Sequence, residues 1–178
     1  MMRQIRSPPV IRSAAAAKNS MSCCCCSCLN LGFFQTTPGV FKFVQMVLGG
    51  LCQSMLINFG TSQAALVGMS YTSLLMTNAA CTSTVSLLVL CYVLSQKSFN
   101  LVRSSFFETL FNISAALSYL SSSTYLAIVV NLYMNTVYYV TMGLVTYPAL
   151  VAAYTMGFTL GLLHALDAYN CYKHFRGY

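Results

Sequence analysis

Charge is what this chain lacks. Its 178 residues include nine basic and two acidic side chains, 6% charged in all, where an ordinary soluble domain has roughly 25%. A surface facing water cannot be built from so few charges, and hydrophobic residues make up 57% of the chain. A soluble globular domain is thereby excluded. So is a disordered chain, which needs low hydrophobicity and high charge. Tryptophan is absent as well, which argues against membrane families whose outer loops carry a Trp-containing signature. The net charge of +7 does not point to nucleic acid, because the basic residues are dispersed through an apolar chain rather than gathered on one face.

The charges divide the chain. Phe43 to Gln96 (54 residues) and Thr109 to Leu166 (58 residues) contain none. A membrane-crossing helix takes about 20 mostly apolar residues, so each block holds two spans and a turn. Helices are expected because every backbone polar group in a bilayer must be satisfied within the protein. Runs such as Val85–Leu94 do not alternate as the strands of a β-barrel would. The expected fold is all-α and integral to the membrane: an antiparallel bundle of four transmembrane helices at about residues 40–57, 71–94, 107–130 and 148–168. Residues 1–37 read as a mobile cytoplasmic segment, 38–172 as the membrane domain and 173–178 as a short cytoplasmic tail. Asn58–Gln63 reads as a polar turn, Ser95–Arg103 as a short charged loop, and Asn131–Tyr147 as the longer second outer connection. Pro148 suits the first turn of the fourth helix, where its missing N–H costs nothing.

Four spans leave both termini on one side. Arg3, Arg6, Arg12, Lys18, Lys42, Lys97, Arg103, Lys173 and Arg176 all fall on that side, and the two outer connections contain no Lys or Arg. The positive-inside rule makes that face cytoplasmic; three or five spans would break the segregation. A plasma-membrane or vesicle location is expected. The segment before the first span is a poor signal peptide, since its apolar run, Ala14–Ala17, is shorter than the roughly 7–15 residues required.

Cys23, Cys24, Cys25, Cys26 and Cys28 cluster ahead of the first span. Contiguous cysteines do not easily wrap one tetrahedral zinc ion, and a cytoplasmic face disfavours disulfides. S-acylation fits a juxtamembrane position best, its role being sorting or pinning of the segment rather than attachment. An unmodified cluster is the alternative. The outer connections have no cysteine, which disfavours families stapled there. The sequon Asn112–Ser114 falls inside the third span and reads as chance.

Glu108 opens the third span and Asp167 closes the fourth. An acid in a membrane segment is a functional candidate by default. Near the interface, however, pairing with Lys42, Arg103 or Lys173 in partly hydrated surroundings is the simpler role. A proton relay would need acids at mid-membrane, and there are none. His164 and two rim acids do not compose a nucleophile, base and orienting group, so no catalytic, metal or cofactor residue is assigned and no enzyme is expected. Ala153, Gly157, Gly161 and Ala165 form a small-residue stripe in span four that favours close helix packing, within the bundle or between copies. Gln53, Thr77, Asn78, Ser118 and Ser121–Ser123 offer bonds across helices, or a polar path. Tyr133, Tyr138, Tyr139 and Tyr147 give the second outer connection either an interfacial aromatic belt or a contact surface.

Three stretches resemble the MARVEL-domain family of the MAL and plasmolipin type: "PGVFKFVQMVLGGLCQ", "FFETLFNISAALSYLSSS" with its early Glu108, and "AYTMGFTLGLLHALDAY" ending in Asp167 and Tyr169. The likeness spans about residues 38–176. It implies a non-enzymatic membrane organiser in vesicle trafficking, membrane apposition or specialised lipid domains. The family has no defined active site, so no catalytic residue carries over. A narrower likeness to one insect member, in "RSPPVI", the cysteine cluster and "HALDAYNCYKHFRG", implies a role in myoblast fusion before the membranes merge. The tyrosine-rich outer connection has no match in the family pattern. Expected partners are membrane lipids, and further copies or other membrane proteins, with neither nucleic acid nor a small-molecule substrate. A channel or transporter subunit and a cell-junction component are the rival functions.

Overall fold

The structure is a computed structural model and describes residues 30–61, 67–103, 105–135, 138 and 146–176. Among these every regular element is a helix. A single 3-10 turn, Leu31–Gln35, leads into α1 (Thr37–Met55), and α2 (Met69–Leu94), α3 (Gln96–Arg103), α4 (Phe106–Val129) and α5 (Thr146–Phe175) follow. Helix α1 continues as one wide π turn over Leu56–Gly60, and α4 does the same over Val130–Met134. With those turns, four helices of 24, 26, 29 and 30 residues are long and apolar enough to cross a membrane. At 1.5 Å per residue they measure about 36 to 45 Å, more than the roughly 30 Å hydrocarbon layer. The chain is a multi-pass membrane protein.

The four long helices close a ring in the order α1, α2, α4, α5. The α4–α5 seam is the most extensive, and α2 and α5 barely meet across the diagonal. The core contains Cys52, Leu56, Leu74, Tyr119, Leu126, Ala153 and Leu160. Around it the distribution of a water-soluble protein is reversed. Leu87, Leu117, Leu162 and Leu166 face outward, while Lys42, Gln45, Asn78, Glu108, Asn112, His164 and Asp167 are buried. An apolar exterior is what a bilayer solvates, and polar groups inside must then bond to one another.

Two connections differ from expectation. The Ser95–Arg103 loop is largely helix α3: the Ser95 hydroxyl accepts the Ser98 N–H at 3.2 Å, and Phe99 packs edge-on to Phe33 and Tyr92 at centroid distances of 5.6 and 5.3 Å. The folded part also begins ahead of residue 38. The Asn30 N–H donates to the Val93 carbonyl at 2.8 Å, and Phe33 is buried in the same aromatic cluster. Local sequence pattern has no view of this cluster, because its rings come from three separate segments. The second outer connection is shortened at both ends, by the π turn of α4 and by the start of α5 at Thr146. Pro148 lies in the first turn of α5.

Candidate functional site

The site lies at the end of the bundle where α1 and α4 begin and α5 ends. Lys42 sits in the second turn of α1, Glu108 in the first turn of α4, Asp167 two turns before the end of α5, and Arg103 at the end of α3. The Lys42 ammonium is 2.8 Å from an Asp167 oxygen and 3.3 Å from Glu108 Oε1. Arg103 lies 3.3 Å from the same Glu108 oxygen and 3.7 Å from the second Asp167 oxygen. Two cations and two anions thus form one closed, neutral set. Lys42, Glu108 and Asp167 have no exposed surface within the protein, and Arg103 has 6%. Partial hydration was expected of these groups. Instead α3, folded across the end of the bundle, carries Arg103 over the acids and covers them.

Neutral groups complete the set. Asn112 accepts from the Lys42 ammonium at 3.2 Å, and its carbonyl oxygen lies 2.9 Å from His164 Nδ1. Gln45 donates to Asp167 at 3.5 Å. The Cys171 thiol stands 3.8 Å from Asp167 and 3.7 Å from the Asn112 amide nitrogen. Lys42 also lies over the Phe111 ring, 5.6 Å from its centroid, and His164 stacks on Tyr119 at 5.6 Å. Sequence reasoning missed Gln45, Asn112 and Cys171. Each stands three or four residues from a charged member (Lys42, Glu108 and Asp167 in turn), the spacing that places two side chains on one helix face.

Glu108, Asp167 and Cys171 offer ligand atoms within 4.8 Å of one another. The positive charge a metal ion would bring is already there as Lys42 and Arg103. The arrangement holds four charges in balance; no hydroxyl or thiol in it stands next to a base aimed at an open cavity. What it does chemically is join α1, α3, α4 and α5 at one end through groups that tolerate no loss of a partner.

The other candidates are placed as follows. Lys173 is exposed and forms no ion pair among the described residues, correcting its assignment to the network. Six residues beyond Asp167, at about 100° each, it has rotated to a different face of α5. In the small-residue stripe, Ala153, Gly157 and Gly161 are buried, with Gly157 against Ser123 of α4 and Gly161 against Leu120 and Tyr119. Ala165 is exposed and does not belong to that contact. Steps of four residues advance about 40° past a full turn, so three steps carry the stripe off the packed face.

Higher in the bundle Asn78 donates to the Gly49 carbonyl and to Gln53, both at 2.9 Å, and accepts from the Tyr119 hydroxyl at 3.0 Å. Ser122 bonds to the Ser118 carbonyl of its own helix at 2.7 Å. Tyr133 is 65% exposed, and Tyr138 stacks on Tyr147 at 4.9 Å. Tyr139 and Cys23, Cys24, Cys25, Cys26 and Cys28 lie outside the described residues.

No family model and no solved structure matches the chain. It is similar to protein singles bar of Drosophila melanogaster, with 43% identity over 151 residues, 85% of this chain and 86% of that protein. On that identity and coverage the chain belongs to the singles bar family.

Proposed function

We propose that the protein is a non-enzymatic membrane organiser of MARVEL type. It brings membranes into apposition or delivers vesicles in the steps that precede cell–cell fusion. The single observation that carries this reading is the 43% identity to singles bar, joined to the role in myoblast fusion that the resemblance implies. The buried site supports it from the other side, since its charges are balanced against one another and its chemistry is that of a clasp. In this reading both termini face the cytoplasm. The cysteines at 23–28, carrying acyl chains, sort the protein laterally, and its partners are lipids and other membrane proteins.

The test is removal of the chain from fusing cells, followed by rescue. Loss should leave aligned but mononucleate cells, wild type should restore multinucleate ones, and a version with serine at all five clustered cysteines should restore fewer. Normal fusion in the absence of the chain would sink the reading.

A further inference from the structure

The chain has two acidic side chains, and both are enclosed with Lys42 and Arg103. Among the described residues, Lys97, Lys173 and Arg176 form no ion pair. Beside the network lies a cavity of about 380 Å³ whose walls include Phe41, Phe99, Arg103, Asn170, Lys173 and His174. No acid is in that wall. It is formed by the start of α1, the short helix α3 and the last turns of α5, so it stands at the boundary of the bundle rather than at its middle. Its wall carries two cations, Arg103 and Lys173, and two phenylalanine rings, Phe41 and Phe99. The neighbouring surface of α1 is apolar, with Val40 and Phe43 about half exposed.

We propose that this cavity binds the phosphate-bearing headgroup of an anionic membrane lipid. Lys173 and Arg103 meet the phosphate, Asn170 and His174 hydrogen-bond its oxygens, and Phe41 and Phe99 lie against the glycerol and the first part of the acyl chain. A free phosphate has the same charge but no use for the aromatic wall or for the apolar surface beside it, and this is why a lipid is the occupant. Basic pockets at helix ends are the usual setting for such headgroups. Arg103 stands in the wall between cavity and network, so an occupied cavity gives its guanidinium a third anion. The inference rests on the membrane-organiser reading for its biological sense only.

Native mass spectrometry of the purified full-length chain tests it, with phosphatidylinositol 4-phosphate, phosphatidylserine and phosphatidylcholine as probes. Wild type should retain the phosphoinositide about tenfold over phosphatidylcholine, and Lys173→Ala should lower retention about fivefold. Lys97→Ala removes an exposed charge of α3 that does not line the cavity and should leave retention unchanged. Equal losses from the two variants would mean diffuse surface charge and overturn the site. Lack of preference over phosphatidylcholine would do the same. Full displacement by soluble inositol bisphosphate at the lipid's own concentration would overturn the lipid as occupant. The readout uses purified protein, so a chain dispensable for cell fusion would defeat the functional reading and leave this measurement standing.

Discussion

Lys42 has two acids within ion-pair distance and the Asn112 carbonyl besides. Its side chain has no exposed surface within the protein. Removing it leaves Glu108 and Asp167 enclosed with Arg103 alone, an uncompensated charge in a medium that solvates it poorly. Lys42→Met is therefore expected to lower stability by about 3–5 kcal/mol, measured as the shift in the unfolding midpoint of the detergent-solubilised protein. Adding Asp167→Leu restores neutrality with the Arg103–Glu108 pair in place, and should recover at least half of the loss. If the double variant is no better than the single one, the charges do not act as a set. The sequence singles out these charges because a charge in an apolar stretch requires a partner. It says much less about Gln45 and Asn112, since an amide in a helix has many uses and only its spacing from a charge marks it. The depth of burial was not legible at all. It depends on Arg103 being folded over the acids, and that depends on aromatic contacts between segments far apart in the chain.

At the scale of elements, the α4–α5 seam depends on the absence of side chains. A β-carbon on Gly157 would run into Ser123, and one on Gly161 would meet Leu120. Gly157→Val should force the helices apart at a cost of about 1–3 kcal/mol, whereas Ala165→Leu, on the exposed side of the same helix, should change stability by no more than about 0.5 kcal/mol. Comparing the two midpoints checks this; equal effects would place the stripe elsewhere. The four long helices were legible in the sequence because uncharged stretches of more than 50 residues have few other solutions. Helix α3 was not. Eight residues with a lysine and an arginine have the composition of a loop, and what makes them helical is the Ser95 cap together with the packing of Phe99 on Phe33 and Tyr92. The same limit applies to the stripe: a spacing of four reads as one face over about two turns and drifts off it over about three.

At the scale of the whole molecule, an even number of crossings leaves both ends of the chain on one side. The segregation of all nine basic residues is the ground on which we propose that this side is the cytoplasm. Epitope tags at either terminus should be stained only after the plasma membrane is permeabilised, and a tag inserted beside Thr61 should be stained without it. Staining of one terminus from outside would mean an odd number of crossings and would undo the proposed orientation. The four-charge clasp has another consequence, in the order in which the chain is made. Lys42 enters the membrane with the first helix, ahead of both acids. Glu108 arrives with α4, and Asp167 only with α5. Until then the growing protein has a cation in lipid that its own sequence cannot yet neutralise. Completion of the clasp thus waits for α5, and a polypeptide that stops short of α5 retains an unmatched charge.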